Sequence, residues 1–297
     1  MRIQNENDYE DLQALWADLE SGLGIVLSHP DKVHEFVLRI KQYARWMQSL
    51  LAQDTDVGLF ILFQLAGNSP VGYSTAHALI CAVLAELTAQ QLGIESKDKA
   101  TLVNAALTMN VSMTALQDVL ALQTTPLQPE QSQTIAQHAS QSVTMLRKLG
   151  VEDALWLHLV AEHHADSHND HFDRLLGILH AVDRYAAMIS PRSSRPGRSA
   201  VESVRAIDSE IGWILIRAVG VYPPGTYVQL SSKELAVVVR RTGPNAHPEV
   251  AIISTPEGEA IATPRLHYSM RRPRIRSAVS ASLVRARLKH FKILNSF

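Results

Sequence analysis

The sequence has a single cysteine, Cys81, among its 297 residues. The chain therefore cannot contain an internal disulfide. The lack of disulfides is typical of proteins in the reducing cytosol. The cysteine lies in the apolar stretch HALICAVLAEL, a setting that predicts a buried thiol. The length suggests one large domain or two modest ones.

Long apolar runs and an excess of charge of one sign are also missing. The longest apolar run, around residues 58–67, is far too short for a membrane-spanning helix. The amino terminus, MRIQNENDYEDL, is too acidic and polar for a signal peptide. A formal net charge of −1 gives no whole-protein bias towards nucleic acid or a membrane surface. We therefore expect a cytoplasmic protein with no membrane span and no nucleic-acid partner.

Histidine is abundant and concentrated in one region. Seven of the 13 histidines lie between His138 and His180, and His163 and His164 are adjacent. Further on, Asp183 lies in the apolar run LLGILHAVDRYAAMI, where helical spacing predicts that its carboxylate points into the core. Imidazoles and a buried carboxylate are ligands that divalent metal ions accept. The alternative is that the adjacent histidines are surface residues and that Asp183 caps or pairs locally.

Hydrophobic periodicity predicts a mainly α-helical chain with a small β appendage. Residues 1–66 form an N-terminal helical extension, which is either a sensor or partner-binding bundle or, as we favour, packs on the main domain. An exposed apolar face there would allow a homodimer. Residues 67–220 form the helical main domain, including a last helix from Ala200 to Val219. Gly93 is a plausible helix end within it.

From residue 221 the period changes to that of strands. The stretches TYVQL and ELAVVVRR, then EVAIIST and EAIAT, predict two short hairpins within residues 221–268.

Residues 269–297 are rich in arginine and lysine and contain no acidic residue. This basic tail either contacts an anionic partner or is a solvated chain end.

Several motifs, taken in order, resemble the HD-GYP family, the HD-type metal-dependent phosphohydrolases that cleave cyclic di-GMP. The resemblance covers roughly residues 69–245, and the segment GVYPPGTYVQLSSKELAVVV is similar to the one that follows many such domains. It implies an HD-type helical bundle in a bacterial signalling protein. It also implies five metal ligands, which are His77, His138, His163, His164 and Asp183. The loop VDRYAAMISPRSSR resembles the family signature whose two basic residues contact the ligand's phosphates.

The departures from the family bear on its chemistry. The His-Asp dyad that defines the family falls at Met109 and Asn110, and the lysine that follows falls at Met113. Methionine is a poor ligand for a hard divalent ion, and asparagine lacks the charge of a bridging aspartate. Tyr73 replaces a glutamate that supports a third metal in some members. After the histidine pair, ADSHNDHFD stands where the family has its glycine-rich segment, and only the aromatic Phe172 is kept in kind.

The altered positions predict a reduced metal site. Two dications that lack the bridging carboxylate would repel each other, so we expect one divalent transition metal ion, iron or manganese, rather than two. The expected ligands are His138, His163 and His164, with or without Asp183. His168 and His171 either add ligands or are solvated. A chain with no metal at all is the remaining alternative.

Two functions follow from the resemblance. The first is a cyclic di-GMP phosphodiesterase with weak or lost hydrolysis. The second is a non-catalytic receptor for a cyclic dinucleotide, or a scaffold for a signalling partner. In either case Arg192 and Arg195 would contact phosphate through the fixed fork of guanidinium donors. Otherwise they are exposed loop arginines.

Overall fold

Helices make up most of the chain, and a sheet follows them. The structure is a computed structural model, and it describes residues 6–164, 173–207, 210–242, 247–284 and 293. Its helices are α1 (Glu6–Ser28), α2 (Phe36–Gln53), α3 (Thr55–Asn68), α4 (Tyr73–Gln91), α5 (Ser96–Thr108), α6 (Thr114–Leu122), α7 (Pro129–Lys148), α8 (Ala154–Glu162), α9 (Asp173–Ile189), α10 (Ala200–Ile207) and α11 (Glu210–Val219). Its strands are β1 (Tyr227–Leu230), β2 (Leu235–Arg240), β3 (Glu249–Ser254), β4 (Ala260–Tyr268) and β5 (Ile275–Val279). The mainly α architecture with a small C-terminal sheet is the predicted one.

Helix α4 is the centre of the bundle. Every residue from Ser74 to Ala89 is buried, as expected of a helix that is apolar on all sides. It packs against α1, α3, α5, α9 and α11. The helix ends as predicted, because Gly93 takes a φ of 65° and the Ile94 N–H donates to the Ala89 carbonyl oxygen. This helix carries His77 and Cys81 into the interior.

The first three helices share the core of the main domain. Trp16 and Leu19 of α1 are fully buried in the same hydrophobic cluster as α4. Helix α3 runs to Asn68, past the proposed boundary at residue 66. Residues of α1 and α4 therefore contribute to one hydrophobic cluster.

One stretch, Ser96–Leu122, is long and apolar enough to cross a membrane by length and composition alone, although half of it is buried. It is not one continuous helix. Helix α5 ends at Thr108, a 3-10 turn covers Val111–Met113, and α6 starts at Thr114.

The sheet is antiparallel throughout, with strand order β4-β3-β2-β1-β5. The predicted hairpins are present as β1–β2 and β3–β4. Strand β5, however, lies inside the segment that we assigned to the basic tail, so the sheet extends beyond residue 268. Within the predicted helix from Ala200 to Val219, the structure describes helical residues as α10 and α11, and residues 208–209 lie outside the described part.

Alternate side chains of the strands face opposite ways. Tyr227, Val237 and Ile253 join the core of the bundle, whereas Val228 and Val238 belong to a second cluster on the other face. The sheet therefore contributes to two apolar clusters, one of which it shares with the helices.

Candidate metal centre

Three imidazoles converge at the end of α8. His138 projects from α7, while His163 and His164 directly follow α8. The His138 Nε2 atom lies 3.1 Å from His163 Nε2 and 3.2 Å from His164 Nε2. His138 and His163 are buried, and His164 is exposed. We call these residues the histidine trio.

Two rings of the trio are fixed in one tautomer. The His138 Nδ1 atom lies 2.6 Å from the Ile135 carbonyl oxygen, and His163 Nδ1 lies 2.8 Å from the Val160 carbonyl oxygen. A carbonyl oxygen can only accept, so Nδ1 of both rings carries a proton. In a neutral imidazole the Nε2 atom is then an unprotonated lone pair. Two such lone pairs face each other, an arrangement that a metal ion between them would satisfy.

The spacing of the trio suits one metal ion. A first-row ion with metal–nitrogen bonds of about 2.1 Å separates neighbouring ligand nitrogens by roughly 3.0–3.4 Å. The two Nε2 separations of 3.1 and 3.2 Å lie within that range. The Nδ1–H groups that donate to carbonyls are also the usual outer support of metal-binding histidines. The histidine trio therefore fits a divalent transition metal ion.

Burial keeps His138 and His163 in the form that binds metal. It lowers the pKa of His163 to about 4, an effect that the neighbouring His164 strengthens. It also lowers the pKa of His138 below its ordinary value. Both rings are consequently neutral at neutral pH, and protons do not compete with a metal ion there.

His77 and Asp183 form a second, separate group. The His77 Nε2 atom lies 2.9 Å from Asp183 Oδ1, and both residues are buried. Burial alone would raise the pKa of the Asp183 carboxyl, but the hydrogen bond and charge of His77, together with His163 and His164, lower it below its ordinary value. The carboxylate is therefore ionised.

His77 carries its proton on Nε2, whereas His138 and His163 carry theirs on Nδ1. Its Nδ1 atom is buried and has no hydrogen-bond partner among the described residues. A proton on Nδ1 would be a buried unsatisfied donor, which is costly, so the proton resides on Nε2 and is donated to Asp183. In this tautomer the Nε2 atom is not free to bind a metal ion, although His77, Cys81 and Asp183 lie close enough together to hold one. The five predicted ligands thus fall into two groups, the histidine trio and the hydrogen-bonded pair.

Cys81 lies next to this pair. Its Sγ atom is 3.6 Å from His77 Nε2 and 3.8 Å from the Val182 carbonyl oxygen. The sequence predicted a buried thiol but not its contact with His77. The spacing of four residues along one helix could have indicated it, because such residues lie on the same face.

Polar contacts between helices hold the histidines in place. The Ser112 hydroxyl donates to the His138 carbonyl oxygen at 2.9 Å and accepts from the Ser142 hydroxyl at 2.9 Å. At the start of α4, Asp118 accepts from the Ser74 N–H at 2.8 Å and from its hydroxyl at 3.0 Å. Sequence reasoning missed these positions, since serine and aspartate are common on helix surfaces and nothing marks them as partners.

A cavity of about 180 Å³ connects the two groups. It is lined by His77, His138, His164 and Asp183. His163 does not line the cavity, but its ring contacts that of His138. The remaining lining residues include Tyr73, Asn110, Met113 and Arg192.

The substituted dyad positions leave the cavity without a further anion. Met109 is buried in the hydrophobic core and does not line the cavity, so this position offers no ligand. Asn110 does line it, and its buried Oδ1 atom has no hydrogen-bond partner among the described residues. Among the described lining residues, Asp183 is therefore the one carboxylate, and Asn110 adds only a neutral amide oxygen.

The two arginines occupy different surroundings. The Arg192 guanidinium lines the cavity, donates to the Tyr73 hydroxyl at 2.8 Å and lies 4.9 Å from the centre of that ring. Arg195 instead donates to the carbonyl oxygens of Ala187 and Ser190 at the end of α9, and it does not line the cavity. Only Arg192 is therefore placed with the histidines. His168, His171 and Phe172 lie outside the described residues.

Comparison with known proteins gives a structural relative. No protein-family model matches the chain, and no curated protein matches it. Among solved structures, the chain is similar to Bd1817, an HDG"Y"P protein from Bdellovibrio bacteriovorus, with a TM-score of 0.51 and 14% sequence identity. The alignment covers 68% of this chain and 65% of that chain, so this chain spans less than two thirds of its relative. At this identity the likeness concerns architecture alone, and over the aligned part the chain shares the mainly helical fold of that protein.

Proposed function

We propose that the chain is a degenerate member of the HD-GYP family that binds one divalent transition metal ion and a cyclic dinucleotide, with weak or no hydrolysis. Cyclic di-GMP, or a related dinucleotide, is the ligand that the family resemblance suggests. The observation that carries the proposal is the convergence of the unprotonated Nε2 atoms of His138 and His163 beside a cavity lined by the neutral Asn110.

A single metal ion follows from the charge of the site. A second ion would need His77 as a ligand, but its Nε2 proton is donated to Asp183. Asn110 supplies no charge to offset the repulsion between two dications. Iron and manganese are the expected metals, and imidazole ligands suit iron. When bound, such an ion polarises a phosphoryl oxygen and acidifies a bound water molecule.

Arg192 is the residue placed to hold a phosphate. Its Nε atom is buried with no partner among the described residues, and an anionic oxygen would satisfy this donor. Tyr73 holds the guanidinium against the cavity through both its hydroxyl and its ring. A cavity of about 180 Å³ accepts a phosphate and part of a sugar, so most of a dinucleotide would lie outside it.

Loss of hydrolysis does not require loss of binding. Phosphate contact depends on Arg192 and one metal ion, whereas phosphodiester cleavage in active relatives depends on two metal ions. A purely non-catalytic receptor or scaffold and a slow phosphodiesterase therefore share the same site. Turnover measurements separate them.

The metal site is tested by a matched pair of variants. We expect the wild-type chain, expressed with iron and manganese supplements, to retain about one metal ion per chain. His138→Gln should lose it, because the variant removes a ligand, whereas His77→Gln should keep it. Elemental analysis of the purified proteins measures the content. Metal-free wild-type protein, or equal metal loss in both variants, would show that the assignment of the two groups is wrong.

The ligand is tested by titrating the metal-loaded protein with cyclic di-GMP. We expect saturable binding that Arg192→Gln weakens about tenfold, since a charge-assisted hydrogen bond is lost. Arg195→Gln removes a guanidinium that donates to carbonyl oxygens at the end of α9, outside the cavity. This variant should bind cyclic di-GMP as the wild type does. Product analysis should show no or very slow hydrolysis. Rapid turnover that His164→Ala abolishes would contradict the predicted loss of activity, and absence of binding would contradict the ligand.

A further inference from the structure

A second concave site lies between α11 and the sheet, away from the metal centre. Its main cavity has a volume of about 510 Å³, and a hollow of about 240 Å³ adjoins it, since Ile216 and Val221 line both. We call the combined cavity the α11 groove. The residues that carry its chemistry are Arg205, Trp213, Arg217, Tyr222 and Arg241.

Trp213 gives this groove an exposed aromatic surface. The residue is 65% exposed, although large aromatic side chains usually bury most of their area. Arg217 lies one turn further along α11, on the same face, and is also exposed. No carboxylate within the described part of the chain forms an ion pair with Arg217. An indole and an unpaired guanidinium thus lie side by side at the rim of a cavity.

The charge of the groove is positive. Asp56 is the one carboxylate among the described lining residues, and Arg241 neutralises it through a hydrogen-bonded ion pair. A second nitrogen of Arg241 donates to the Ala218 carbonyl oxygen, and this contact fixes the guanidinium. Glu202 on α10 partly offsets the charge of Arg205, so Arg217 supplies most of the excess positive charge over an apolar floor of Ile216 and Val221.

We propose that the α11 groove binds a nucleotide, with the base stacked on Trp213 and the phosphate on Arg217 and Arg205. Aromatic rings and arginine are the usual partners of an unpaired base and its phosphate. Arg217 lines the main cavity, whose volume lies in the range of small-molecule sites, which is about 300–1,000 Å³, and Trp213 and Arg205 line the adjoining hollow. The site is distinct from the metal centre. Gln91 at the groove and His77 lie on the same helix, 14 residues and so about 21 Å apart.

A second copy of the chain is a poorer occupant for this surface. A two-fold contact places a patch against its own image, so two concave grooves would enclose a void. It would also bring the arginines of one copy towards those of the other, which is unfavourable without acidic partners. A small aromatic anion satisfies both the shape and the charge.

The experiment is a calorimetric titration of the full-length protein with guanosine monophosphate. We expect saturable binding that Trp213→Ala weakens at least about tenfold, because base stacking is lost. Arg217→Gln should weaken binding about threefold or more and reduce its dependence on salt. Arg45→Gln, which removes an exposed arginine of α2, is the matched control and should leave binding unchanged. Trp213 is exposed, so its replacement spares the core, and circular dichroism confirms folding.

Three results would overturn the proposal. They are the absence of saturable binding up to about 1 mM nucleotide, an unchanged affinity in Trp213→Ala, and self-association of the wild type that Trp213→Ala abolishes in sedimentation experiments. The His138→Gln variant separates the two sites, because nucleotide binding at the groove should survive the loss of the metal centre. If His138→Gln alone removed guanosine monophosphate binding, the nucleotide would occupy the metal centre and not the groove.

Discussion

Histidine side chains that look alike in the sequence differ here in which ring nitrogen carries the proton. His138 and His163 have a main-chain carbonyl beside Nδ1, whereas the Nδ1 atom of His77 has no partner among the described residues. The acceptor beside one nitrogen therefore decides whether the other is free to bind a metal. This difference arises from main-chain positions three residues before each ring, at Ile135 and Val160, and no motif records it.

The same surroundings make a prediction for Cys81. Its side chain is fully buried, and burial, reinforced by the Asp183 carboxylate, raises the pKa of the thiol well above its usual range. We expect the folded protein to be unreactive towards Ellman's reagent at mildly alkaline pH. Unfolding in guanidinium chloride should then release one thiol per chain, measured by absorbance.

An exposed thiol provides the control for this measurement. Gln133 is exposed on α7, so Gln133→Cys should add one thiol that reacts in the folded state. Fast native reaction of the wild-type chain would mean that Cys81 is accessible, and the described packing around His77 would be incorrect.

At the scale of elements, apolar patterning predicted much of what forms. Helix α4 is apolar on all sides, and the strands up to β4 carry β-branched residues between turns, so local pattern suffices for both. Strand β5 was missed because its segment, RIRSAV, follows RRP and lies in a stretch rich in basic residues, which is typical of a solvated tail. Its partner is β1, more than 40 residues earlier, with Val228 opposite Ala278. Pairing over that distance cannot be deduced from local composition.

The candidate site also has one part that the sequence predicts and another that depends on tertiary packing. Its residues were predicted from motifs, and the structure brings four of them to one cavity with His163 directly behind. Their division into two groups depends on helix packing, as do the supports from Ser112 and Asp118. Arg195 shows the limit of motif matching, since its guanidinium contacts the end of α9 instead of the cavity.

At the scale of the whole molecule, the sheet is joined to the bundle by more than apolar packing. Gly225 approaches α3 so closely that a Cβ atom there would lie 2.5 Å from the Phe60 carbonyl oxygen, and its φ of 86° also favours glycine. Asp54, which caps the start of α3, and Asp56 within α3 form ion pairs with Arg240 and Arg241 at the end of β2. The predicted β appendage is therefore an integral part of the fold.

This attachment makes a prediction for Gln64, a buried residue of α3. Its amide donates to the Gly225 carbonyl oxygen at 2.5 Å and accepts from the Tyr227 hydroxyl at 3.0 Å. Gln64→Leu keeps most of the volume but leaves both partners unsatisfied, so we expect the free energy of unfolding to fall by about 2 kcal/mol. Because the bundle and the sheet share one core, urea unfolding should remain a single transition that shifts as a whole. Far-ultraviolet circular dichroism and tryptophan fluorescence should both report it.

The control is Gln53→Leu, the same change at an exposed position of α2, which should leave the midpoint of unfolding nearly unchanged. Two separate transitions, of which Gln64→Leu moves only one, would mean that the sheet unfolds independently and that its contacts with α3 add little to the stability of the bundle.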